Sequence, residues 1–109
     1  MSRIYPIEAL YRIEPYCSIL KQLKSGKENA VKGADIIKLL QTDSRRFRKA
    51  VETIRRSGVC VISGASGYYL PKRKEEIERY IRRTERTAKS HFYTLKTARK
   101  ALNDFNKEV

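Results

Sequence analysis

From Arg73 to the C terminus the chain contains no glycine and no proline. Nothing in that stretch interrupts a helix, so the pattern predicts one continuous helix to about Phe105. Ile77, Ile81, Thr84, Ala88, His91, Leu95, Ala98, Leu102 and Phe105 follow one another at spacings of four and three in turn. That is a heptad seam held for about four heptads. At ~1.5 Å per residue such a helix is roughly 50 Å long, more than a small domain covers. The seam is therefore expected to pair with a second copy as a coiled coil, giving a homodimer. Thr84, Ala88 and Ala98 are small and permit close approach. The competing expectation is a helix folded back across its own domain, with Tyr80, Phe92 and Tyr93 widening the apolar face. His91 is the single histidine. No Cys, Asp or Glu stands at ligand spacing around it, so it is expected to pack, not to bind metal. In an antiparallel pair it would sit near the two-fold axis.

The rest of the chain divides into an N-terminal arm (residues 1–14) and a small domain (15–71), with the long helix taking the segment 72–109. In the arm Ile4, Tyr5, Ile7, Leu10, Tyr11 and Ile13 need cover. Pro15 suits the first turn of a helix, and Tyr16, Ile19, Leu20 and Leu23 recur at helical spacing until Ser25-Gly26 stops them. A loop follows, with room for a short β-bridge at Ala30-Val31. Ala34–Leu40 reads as a second helix, its apolar side made by Ile36, Ile37, Leu39 and Leu40. Gln41-Thr42-Asp43 forms a corner, and Thr42 or Asp43 can cap the next helix. That third helix is expected over Ser44–Arg56, with Phe47, Ala50, Val51 and Ile54 facing inward and Ser57-Gly58 ending it. Val59–Ser63 reads as a strand, Gly64-Ala65-Ser66-Gly67 as a turn, Tyr68–Leu70 as the returning strand, and Pro71 as its close. The expected fold is mainly α with a small β-hairpin and a long C-terminal helix.

Charge narrows the function. Of 109 residues, 25 are Lys or Arg and 12 are Asp or Glu, a formal net charge of +13. An excess of that size on a short chain implies a polyanionic partner, nucleic acid first and an anionic membrane surface second. The excess is concentrated on the third helix. Opposite its apolar stripe stand Arg45, Lys49 and Arg56, with Arg46, Arg48 and Thr53 on the flanks, and Glu52 is the only acid from Ser44 to Arg56. A merely solvated face would balance its charges. A helix with an apolar back and arginines in front suits the major groove, where the guanidinium fork can bond guanine O6 and N7 together. Lysine neutralises phosphate, and Ser44 and Thr42 at the helix start can donate to a backbone phosphate.

Two short helices joined by a three-residue corner make a helix-turn-helix, whose second helix enters the groove. With VCVISGASGYYLP as a wing directly after it, the segment from Pro15 to Pro71 resembles the winged helix-turn-helix proteins. The stretch SRRFRKAVETIRRSG is similar to the recognition helix of bacterial and phage regulators of the biotin-repressor type. The resemblance implies base contacts from Ser44, Arg45, Arg46, Arg48 and Lys49, and phosphate or minor-groove contact from the wing. The chain departs from the family at the wing tip, because GASG offers only Ser66 and backbone N–H groups. The basic run Lys72, Arg73 and Lys74 just beyond is expected to take over the phosphate role.

Other chemistry finds no support. GASG is not followed by Lys-Ser or Lys-Thr, so it is no phosphate-cradling loop. No histidine stands near a nucleophile in a recognisable setting. Asp35, Asp43 and Glu52 look like caps and surface charges. An enzyme, a cofactor and a metal are not expected. No apolar run reaches the ~20 residues that span a bilayer, and the N terminus lacks a signal-peptide core. Cys17 and Cys60 read as reduced core thiols of a cytoplasmic protein, nucleoid-associated in a bacterial host. The expectation is a dimeric, sequence-specific double-stranded-DNA-binding regulator of transcription, of phage or mobile-element type. Two alternatives recruit a protein partner from phage or host: an accessory factor for phage replication or recombination, and an anti-defence inhibitor of a host nucleic-acid enzyme.

Overall fold

Asp43 fixes where the central helix begins. Its carboxylate Oδ1 accepts the backbone N–H of Arg46 at 2.8 Å, satisfying one of the free donors of the first turn. In the computed structural model, which describes residues 5–107, the elements run α1 (Ile7–Leu10), α2 (Tyr16–Gln22), a 3-10 turn (Lys27–Asn29), α3 (Gly33–Leu39), α4 (Ser44–Arg56), β1 (Ile62–Gly64), β2 (Gly67–Tyr69) and α5 (Lys74–Lys107). The chain is mainly helical, with one small antiparallel hairpin and a long C-terminal helix. Contacts divide it into two compact units, the first ending at Glu76 and the second beginning at Ile77.

In the first unit, α4 supplies Phe47, Ala50, Val51 and Ile54 to a core completed by Leu10, Ile19, Leu20, Leu23, Ile36 and Val61. Fully burying an aliphatic or aromatic side chain contributes about 1.5–3 kcal/mol, so these ten positions set the fold. The C terminus of α4 is closed by two backbone bonds, Gly58 N–H to Arg55 O at 3.0 Å and Val59 N–H to Ile54 O at 3.3 Å. Gly58, at φ +107°, adopts the left-handed conformation this ending requires.

The hairpin pairs Ile62 with Tyr69, Ser63 with Tyr68 and Gly64 with Gly67. Tyr68 also exchanges both backbone bonds with Val31, at 2.8 and 2.9 Å. β2 thus lies between β1 and the bridge expected near Ala30-Val31. A Cβ on Gly67 would fall 2.5 Å from the Val31 carbonyl oxygen, so only glycine allows this approach. Tyr68 then sets its ring edge-on to Phe47, with centroids 5.1 Å apart, tying the hairpin to the back of α4.

Several details differ from the sequence reading. The first strand begins at Ile62, not Val59, because Val59 completes the end of α4 and the Arg55 Nε donates to the Val61 carbonyl at 2.9 Å. The turn is only Ala65-Ser66, since both flanking glycines are paired. Val61 and Ile62 are buried in succession while Cys60 before them faces out, so Cys17 is the buried thiol and Cys60 is exposed. In α3, Ile36 is buried but Leu39 is exposed. The compact unit exceeds the expected span of 15–71 at both ends. Leu10, from a helix the sequence did not announce, is fully buried, and Glu76 is buried at the far end. Ile7 and Tyr11 of the arm stay exposed, and Ile4 lies outside the described residues.

The second unit is the body of α5. From Ile77 to Lys107 no residue is buried, and Tyr80 alone is half-buried. The seam residues Ile77, Ile81, Leu95, Leu102 and Phe105 are all exposed. Tyr93 does not widen the seam, because two residues past His91 it lies about 200° further round the helix.

Candidate nucleic-acid interface

The corner before α4 is built by the backbone. Thr42 N–H reaches back to the Ile37 carbonyl at 3.1 Å, while Gln41 takes φ +53°, a left-handed step that reverses the chain within one residue. Asp43 then starts α4 at Ser44. With Phe47, Ala50, Val51 and Ile54 buried, the 100° rotation per residue turns Arg45, Lys49, Glu52 and Arg56 outward. Arg48 lies on one flank and Arg46 with Thr53 on the other.

All five of Ser44, Arg45, Arg46, Arg48 and Lys49 are exposed. Among the described residues no carboxylate pairs with Arg45, Arg48 or Lys49. Arg48 Nε only touches the Ser44 carbonyl, at 3.4 Å. Two arginines of the site do have acids beside them. Arg46 lies 3.5 Å from Asp43 with its side chain 82% exposed, and Arg56 lies 3.0 Å from Glu52. Such open pairs contribute at most about 1 kcal/mol, so a phosphate can displace either carboxylate. Thr42, Thr53 and Ser66 are half-buried. The Thr53 hydroxyl donates to the Lys49 carbonyl at 3.2 Å, which leaves it an acceptor more than a donor to phosphate.

The basic run after the hairpin is arranged differently from expectation. Arg73 bonds Glu28 through both terminal nitrogens, at 2.9 and 3.0 Å, and approaches Glu76 at 3.4 Å. Lys72 Nζ also turns to Glu28, at 3.6 Å. Glu76, third residue of α5, accepts the backbone N–H groups of Lys72, Arg73 and Lys27 at 2.7, 3.0 and 2.8 Å. Lys72 and Arg73 clasp the loop before α3 to the start of α5 while their side chains stay about half exposed, and among the described residues Lys74 has no acid paired with it. The signal for Glu76 was in the sequence, as an acid three residues after a helix-start position. Glu28 had none, being separated from Arg73 by 45 residues.

This clasp titrates. The bidentate bond from Arg73 holds the Glu28 carboxyl at about 2, against an ordinary 4.5. Backbone N–H donors, Lys72 first, lower Glu76 as well. A carboxyl depressed by folding stabilises the fold above its unfolded value and loses that contribution as pH falls through its folded one. Thermal stability should therefore fall between about pH 4.5 and about pH 2. Glu28→Gln should lower the melting temperature at pH 7 and flatten the acid limb, as melts across pH would read. An unchanged limb would mean that the clasp adds no stability.

Among the described residues no group of His, Cys, Asp and Glu could hold a metal ion, and no helix is long and apolar enough to cross a membrane. Compared with protein-family models, curated proteins and solved structures, the chain matches none. The basis for function is therefore the geometry of α4 and its surroundings.

Proposed function

We propose that this chain is a winged helix-turn-helix protein that binds double-stranded DNA sequence-specifically as a homodimer, and that it regulates transcription in the manner of phage and mobile-element repressors and activators. In this reading α3 and α4 are the helix-turn-helix, and β1 and β2 are the wing. One observation carries it: α4 buries a full apolar back while presenting Arg45, Arg48 and Lys49 exposed and without acidic partners, directly after a capped corner. That combination suits insertion into a major groove better than it suits a solvated surface. The wing, with Ser66 at its tip and no cation, serves to brace α4 through Tyr68 and adds at most a phosphate contact. The exposed seam of α5, from Ile77 to Phe105, pairs two copies. The protein acts in the cytoplasm, on the nucleoid of a bacterial host.

Salt dependence tests the DNA reading. Affinity for duplex DNA should fall steeply as salt rises, with a log–log slope of about −5 to −9 for a dimer making several phosphate contacts. Equilibrium binding by fluorescence anisotropy from low to physiological salt measures it. Absence of duplex binding even at low salt would sink the proposal.

A further inference from the structure

Beyond Lys74, the cations of α5 take no part in the site described so far, and they are not spread evenly. In the heptad frame set by the seam, the outer positions carry Arg79, Arg82, Arg86, Lys89, Lys96 and Lys100. The acids Glu78 and Glu85 each follow a seam residue directly and lie towards it. Among the described residues Asp104 is the one acid on the outer face of the second unit. All six cations are exposed, and among the described residues none has an ion-pair partner. Arg83, beside them, rests on the Tyr80 ring, 5.5 Å from its centroid.

Acids stand four residues from Arg79, Arg82, Lys89 and Lys100, at Glu75, Glu78, Glu85 and Asp104, but among the described residues none of them closes an ion pair with these cations. Like charges also stand side by side along the face: Arg79 with Arg82, Arg82 with Arg86, Arg86 with Lys89, Lys96 with Lys100. Each such pair destabilises an isolated helix by a few tenths of a kcal/mol. The repulsion is relieved when a polyanion lies along the face. From Arg79 to Lys100 the face is about 32 Å long at ~1.5 Å per residue, a reach of roughly nine base pairs at ~3.4 Å each. Apart from Tyr93 it presents polar side chains, Ser90 and Thr97 among them. A membrane surface would instead take up the apolar seam on the other side.

We propose that the outer face of α5 is a second, sequence-independent contact for the phosphate backbone of double-stranded DNA. The inference rests on the reading that the chain binds DNA. It leaves base choice to α4 and gives α5 affinity alone.

The test replaces Arg79, Arg86, Lys96 and Lys100 together by Gln in the full chain. Binding is followed against salt on the site the wild type prefers and on a random duplex. Each cation that meets a phosphate contributes about 0.9 to the slope. The slope should become shallower on both duplexes, by about 0.9 for each phosphate contact removed, with the ratio of the two affinities unchanged. A companion variant that exchanges Arg for Lys and Lys for Arg at the same positions should keep the wild-type slope, which separates lost charge from lost structure. A quadruple Gln variant with the wild-type slope would overturn the inference while leaving the α4 reading intact. So would an unchanged DNA slope combined with loss of binding to phosphatidylserine vesicles, which would assign the face to a membrane. Failure of the wild type to bind any duplex would remove the DNA reading itself before the variants are compared.

Discussion

Leu95→Asp should convert the protein from a dimer to a monomer at tens of micromolar, and its affinity for a two-half-site DNA should fall by about a hundredfold or more. Leu95 sits mid-seam, between His91 and Ala98, and is exposed in the single chain. On the proposed pairing it is buried against the second copy. A carboxylate there would be buried without a partner in each protomer, which costs several kcal/mol or forces the helices apart. The first unit carries its own core, so its cooperative melt should persist. Two linked half-sites gain from effective concentration, and one alone does not. Light scattering on both proteins reads the result. A wild-type monomer, or a variant that unfolds outright, would rule out pairing through this seam.

Arg45→Ala and Arg48→Ala should each weaken binding to the preferred site by about 1–3 kcal/mol if the arginine reads a base. Loss on random DNA should be smaller. Neither side chain supports the fold: both are exposed, and the Arg48 bond to Ser44 is local. Melting temperatures should hardly move. Competition titrations against the two DNAs separate base reading from phosphate clamping, and equal losses on both would reduce these arginines to clamps.

How much of this was legible in the sequence depends on whether the deciding contact was local. The bounds of α4 were readable because both ends are local: Asp43 caps the start, and Ser57-Gly58 ends it through bonds to Ile54 and Arg55. Its outward and inward faces followed from spacing alone. The arm was opaque, since the four residues of α1 have no periodicity to read and Leu10 is held by tertiary burial. The strand start moved because one guanidinium, that of Arg55, takes a carbonyl the ladder would have used. The acidic partner of Lys72 and Arg73 was not legible, because net charge does not record a carboxylate brought in from Glu28. The cations of α5 are legible one by one, but on a helix face charge alone does not separate solvation from a polyanion contact.

Selection of bound sequences from a random duplex pool tests the central claim, that α4 reads DNA bases. The wild type should enrich a palindromic consensus, with two half-sites related by the dimer's two-fold axis. Arg45→Ala run in parallel should lose information at particular positions within each half-site and keep the spacing between them. A wild-type pool that stays random after repeated rounds, at a salt where the protein still binds duplex, would contradict the account.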